Sequence, residues 1–83
     1  MSSQEATPTT VDLSKYIETR FYGARPHLRG RRLLVSTIAV VAEANNLSIA
    51  ELSYDFTISP EETLAALLYY QEHKAEIDAQ DAE

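Results

Sequence analysis

Apolar residues group into four stretches separated by turn-forming residues, and the first stretch has a different period from the other three. Tyr16 to Tyr22 is dense in β-branched and aromatic types, with Ile17, Thr19 and Phe21 on one side of a two-residue repeat. That pattern predicts a strand, with a helical turn over Leu13 to Glu18 as the alternative. Gly23-Ala24 permits a reversal, Pro26 resists helix, and Gly30 tolerates positive φ between His27 to Arg29 and Arg31 to Leu34. A small hairpin with arginines on its rim is expected.

Three helix starts follow, each with its own punctuation. Ser36 is expected to cap a helix that turns Ile38, Val41 and Ala42 inward, with Val35 and Val40 as a hydrophobic staple. Ala39 at the third helical position leaves that capping box incomplete. Ser48-Ile49-Ala50-Glu51 is a complete box with Leu47 and Leu52 as staple, so a short helix should run from about Ile49 to Asp55 after a turn at Asn45-Asn46. Ser59-Pro60-Glu61-Glu62 combines a serine cap, proline at the first position and acids where the helix dipole favours them. This helix should reach about Asp78, with Leu64, Leu67, Leu68 and Ala75 as its apolar stripe. The expected fold is mainly α: a three-helix helix-turn-helix core preceded by a small β hairpin, spanning residues 13–78 as one domain. Residues 1–12 read as a disordered leader and 79–83 as an acidic tail.

Length changes this picture in one respect. At 83 residues a single core is near its lower limit, about 3 to 5 kcal/mol for chains below roughly 80 residues, so self-association is expected. The absence of cysteine excludes disulfides and zinc-thiolate sites. No apolar run approaches the roughly 18 residues of a membrane span, and the first ten residues lack the features of a signal peptide, so a cytoplasmic protein is expected.

Charge adds a sharper constraint. Residues 1–42 carry six basic and three acidic groups, whereas 43–83 carry one basic and ten acidic. A segregated surface presents a cationic edge even when the net charge is −6. Four of the seven Lys and Arg, namely Arg25, Arg29, Arg31 and Arg32, lie within eight positions around His27. These five residues are the candidate contacts for nucleic acid or for a protein partner. The arginines suit phosphates, with a salt dependence of about 0.9 in log K per phosphate neutralised. Alternatively they suit a carboxylate cluster on a protein partner, where a planar guanidinium pairs bidentately with the acids. Internal pairing with Glu18, Glu43 or the acidic C-terminal helix is the structural alternative.

Other candidates weigh towards packing. Glu61 and Glu62 at a recognition-helix start would meet phosphates with the wrong sign, and capping accounts for both. The acidic run from Glu72 to Glu83 reads as a solvated helix end, with mimicry of an RNA backbone as the alternative. Adjacent Tyr69 and Tyr70 point to different faces. His73-x-x-Glu76 supplies two ligands on one helix face where a metal needs more. With no phosphate loop, nucleophile elbow or patterned carboxylate pair, a protein without cofactor, metal or enzymatic activity is expected.

Tyr16-Ile17-Glu18, Arg25-Pro26-His27-Leu28-Arg29-Gly30-Arg31-Arg32, Val35-Ser36-x-Ile38, Leu47-Ser48-x-x-Glu51-Leu52, Ala65-Ala66-Leu67-x-Tyr69-Tyr70 and His73-x-x-Glu76-Ile77-Asp78 occur in that order. This set resembles the family catalogued as domain of unknown function 433, small prokaryotic proteins described as VapB-like antitoxins. Leu33-Leu34 stands where that family more often has isoleucine and proline. The resemblance implies a homeodomain-like three-helix fold, dimerisation, and an antitoxin role in a type II toxin–antitoxin pair opposite a PIN-like nuclease toxin, with binding to its own promoter. The other readings are a stand-alone DNA-binding transcriptional regulator and a protein-interaction module that does not bind DNA.

Overall fold

Two serine boxes set the helical half of the molecule. In the computed structural model, which describes residues 12–21 and 23–82, α2 (Ile49–Phe56) begins where Ser48 Oγ accepts from Glu51 N and Glu51 returns a carboxylate oxygen to Ser48 N. The third helix, α3 (Pro60–Glu72), repeats the device with Ser59 and Glu62, and Pro60 opens it. Each box satisfies two amide donors that a helix start otherwise leaves open.

The first helix starts differently from expectation. α1 (Val35–Asn45) has Leu34, not Ser36, as its N-cap, and no side chain caps it. The reason lies in the preceding hairpin: Leu34 bridges to His27 and Val35 N donates to the Pro26 carbonyl, so the hairpin supplies what a cap would. Ser36 therefore sits inside the helix. Val35 is fully buried while Val40 faces solvent, so the expected Val35–Val40 staple does not form.

The hairpin itself is shorter than predicted. β1 (Ile17–Glu18) pairs antiparallel with β2 (His27–Leu28), matching Ile17 to Leu28 and Glu18 to His27. One step further along this register Thr19 would meet Pro26, which has no N–H to give, and pairing stops. Phe21 and Thr19 are exposed, and Leu13–Lys15 form a single 3₁₀ turn, the helical alternative for that segment. Gly23 and Ala24, both at positive φ, make the reversal. The disordered leader expected over residues 1–12 lies outside the described residues except for Asp12.

Helices α1 and α2 end alike. Left-handed Asn46 and Thr57 are each followed by an apolar residue whose N–H reaches back, Leu47 to Ala42 O and Ile58 to Ser53 O. These are Schellman closures with their hydrophobic contact supplied by Leu47 and Ile58. The chain then breaks once more at His73, and α4 (Lys74–Ala82) continues past the predicted end at Asp78, so the start of the expected tail is helical.

The core joins Ile17 and Leu28 of the hairpin to Val35 and Ile38 of α1, Leu52 of α2, Ala65 and Ala66 of α3 and Ile77 of α4. The leucine stripe predicted for the last helix forms only in part: Leu67 packs against the core, whereas Leu64 is 37% exposed, Ala75 faces solvent, and Thr63, Ala65 and Ala66 are the buried positions. Small side chains let α1 and α2 approach α3 closely, which large leucines would prevent. Thr63 is accommodated because its hydroxyl lies 2.8 Å from Ser53 Oγ, with the remaining bonds going to the Ile49 and Ser59 carbonyls. The described residues are thus mainly helical, with one small two-stranded hairpin ahead of the helices. Among them, no helix is long and apolar enough to cross a membrane.

Candidate interaction site on the arginine turn

Residues 29–32 form the tight connection between β2 and α1. Arg29 N donates to the Tyr16 carbonyl at 2.7 Å, Arg31 N to Leu28 O, and Leu28 N to Leu33 O, closing a compact loop around Gly30 at φ +76°. Glycine takes this left-handed conformation without the steric cost of a Cβ. The loop therefore presents three guanidinium side chains within four residues at one edge.

Glu18 organises the inner side of that loop. Its carboxylate is nearly buried and accepts from Arg29 Nη1 at 3.2 Å and from Gly30 N at 3.2 Å, while His27 Nε2 lies 3.5 Å from Oε2. A second Arg29 nitrogen donates to the Ser14 carbonyl. Arg29 is held at both ends yet keeps half of its side chain exposed. His27 is fully buried, with its Nδ1–H donating to the Arg25 carbonyl, so this predicted contact residue is part of the hairpin's interior.

Arg31 reaches across to α3. Its Nε and Nη2 meet the two oxygens of Glu62 at 2.8 and 3.2 Å, a bidentate pair with the guanidinium 44% exposed. The hydrogen bond from Arg31 is the main reason the Glu62 carboxyl titrates below the usual carboxylate range, against the opposing pull of partial burial. The same pair raises Arg31 above its ordinary value. One carboxylate thus serves the α3 capping box and the arginine turn together.

Arg32 is exposed and makes no hydrogen bond or ion pair among the described residues. Arg25 lies elsewhere, half-buried, with Nη2 donating to the Gln80 carbonyl of α4 at 2.9 Å. Of the five candidate residues, the structure gathers Arg29, Arg31 and Arg32 on one edge, turns Arg25 towards α4, and buries His27. The internal pairing weighed against function is real for Arg29 and Arg31. Exposed pairs of this kind are worth about 0 to 1 kcal/mol and leave the outer face of each guanidinium available.

Two further residues belong to the same region, Glu62, expected from sequence only to cap α3, and Tyr54, which sequence did not single out. Glu62 anchors the turn, and Tyr54, 86% exposed, borders a shallow groove that also includes Arg31, Thr57 and Ser59. Helical spacing signals Tyr54, since it sits two positions from buried Leu52 and so faces away from the core. The bridge from Arg31 to Glu62 spans 31 positions, and no local pattern announces it.

A family model described as protein of unknown function (DUF433) matches residues 17–70, about two thirds of the chain and all of the hairpin, arginine turn and α1 to α2, with most of α3. No curated protein and no solved structure matches.

Proposed function

This chain belongs to the DUF433 family, proteins of unknown function, and from that premise and the arginine turn we propose that it is an antitoxin of a prokaryotic type II toxin–antitoxin pair, neutralising a PIN-like nuclease toxin by direct binding. The observation that carries this reading is Arg32, exposed and uncommitted among the described residues, on a loop whose neighbouring arginines are anchored by Glu18 and Glu62. A guanidinium presented from a braced loop is suited to bidentate capture of the carboxylates that hold a nuclease metal. Because the loop is already ordered, little conformational entropy is lost on binding.

A second activity, binding of the toxin–antitoxin promoter, is favoured by the three residues between α2 and α3, the spacing of a helix-turn-helix in a homeodomain-like core. Glu61 and Glu62 at the start of α3 would oppose phosphate, and Glu62 is already engaged by Arg31, so DNA contact falls to the arginine turn.

Co-expression with the protein encoded by the neighbouring reading frame tests the main reading. The pair should co-purify, and RNA cleavage by the partner should stop in the complex. Arg32→Ala should restore cleavage without altering the helical content of this chain. Retention of full inhibition by an Arg29, Arg31 and Arg32 triple alanine variant would overturn the assignment. Promoter binding without any protein complex would leave a stand-alone regulator instead.

A further inference from the structure

The imidazole of His27 lies inside the hairpin with an oxygen close to each of its ring nitrogens. We infer that His27 and Glu18 form a proton-operated latch beneath the arginine turn, closed when His27 is charged and loosened when it is neutral. The latch belongs to the turn itself and holds whatever the turn binds.

The register brings the pair together. β1 and β2 set Glu18 directly opposite His27, and directly opposed residues of an antiparallel pair extend their side chains on the same face. His27 also bridges to Leu34 at the start of α1, and it is fully buried. The Glu18 side chain is 8% exposed. Several charged groups surround the pair. Arg29 meets the Glu18 carboxylate from the turn, and Arg25 gives its carbonyl to His27 while its guanidinium reaches α4. The Phe21 ring lies 5.9 Å from the imidazole and holds the Arg20 guanidinium 5.2 Å from its own centroid.

Hydrogen-bond chemistry then decides what each protonation state does. A carbonyl oxygen only accepts, so the 2.9 Å contact between Nδ1 and the Arg25 carbonyl requires a proton on Nδ1. In the neutral ring this leaves a lone pair on Nε2, 3.5 Å from Glu18 Oε2, which is also an acceptor. The two repel. A second proton, on Nε2, turns the repulsion into a charge-assisted contact in which both ring nitrogens donate. A buried charge needs a partner of opposite sign, and Glu18 supplies it.

One atom carries the effect to the turn. Gly30 N donates at 3.2 Å to the same Oε2 that His27 faces, whereas Arg29 Nη1 holds the other oxygen. A charged His27 keeps Oε2 in place to receive Gly30 N. As pH rises through the His27 titration, Nε2 pushes Oε2 away and the Gly30 bond weakens, while Arg29 keeps its oxygen. The left-handed residue at the centre of the turn is thus the one that the proton controls.

The test is a titration of the full chain over about pH 5 to 8, the range in which imidazoles change charge. It follows the ring nitrogen signals of both histidines and the backbone amides. His73, whose ring stacks on Tyr69, is the internal reference. His27 should carry protons on both ring nitrogens at the acid end and lose the one on Nε2, keeping that on Nδ1, as pH rises. The Gly30 amide should shift with the same midpoint. Above that midpoint it should exchange with solvent faster than the intrinsic pH dependence accounts for. Glu18→Gln should remove the Gly30 response, and the wild-type titration decides alone where this variant does not fold. A His27 ring whose protonation is constant across the range would overturn the inference. So would a His27 titration that leaves Gly30 unmoved, or a Gly30 shift that follows the His73 midpoint or survives in Glu18→Gln.

Discussion

Glu62 accepts from Ser59 N and from Arg31 with the same carboxylate, so its substitutions separate two effects. Glutamine keeps the reach-back to the cap but loses the charge that Arg31 meets; alanine loses both. Urea unfolding should therefore rank wild type above Glu62→Gln and that above Glu62→Ala. The sign of the pH dependence follows from the direction of the shift. A carboxyl titrating below its unfolded value contributes stability that is present above the ordinary carboxylate range and disappears as pH falls through the folded value. Glu62→Gln should flatten the acid limb of the stability curve without abolishing it, since Glu51, lowered chiefly by its backbone bond to Ser48, and Asp78, lowered by Lys74, titrate in the same direction. Thr57 offers a test of opposite sign. It holds φ +56° at the end of α2, a conformation that costs a β-branched residue about 1 to 2 kcal/mol. Thr57→Gly should stabilise the protein by about 1 kcal/mol and raise Tm by about 4 to 8 °C for a domain of this size.

Among the elements, those specified by local chemistry were readable and those specified by packing were not. Both serine boxes, the start at Pro60 and the turn at Asn46 follow from side chains acting on backbone groups within four positions, and all of them form. α1 starts at Val35 and is not capped by Ser36 because its first amide donor, Val35 N, is satisfied by the Pro26 carbonyl of the hairpin, a partner nine positions away. The apolar stripe of α3 meets the core at Leu67 but not at Leu64, because close helix approach buries the small side chains of Thr63, Ala65 and Ala66 instead. Two substitutions separate the readings by thermal unfolding. Ala66→Leu should overpack the α1–α3 contact and cost about 1 to 3 kcal/mol. Val40→Thr, conservative at an exposed site, should change stability by no more than about 0.5 kcal/mol. The hairpin is equally part of the core: Leu28 is fully buried against the helices, and Leu28→Ala should cost about 2 to 5 kcal/mol.

At the scale of the whole molecule the charge asymmetry is only partly a division of surfaces. Three of the six bases in residues 1–42 stand on the arginine turn, while the acids of 43–82 are spread along the four helices and one of them, Glu62, braces that turn. The candidate site was legible in part, because a cluster of arginines around a glycine is a local signal. Composition could not tell which guanidinium is free, since the braces, Glu18 and Glu62, come from distant points in the chain. The fold distributes the three arginines between two roles. Arg29 and Arg31 hold the loop against β1 and α3, and Arg32 is the residue that the proposed function assigns to the partner. The direct test is a calorimetric titration of the protein encoded beside this one with wild type, Arg29→Ala and Arg32→Ala. Arg32→Ala should lose at least about tenfold in affinity at unchanged Tm, and Arg29→Ala should lower Tm. Wild-type affinity in Arg32→Ala would contradict the account.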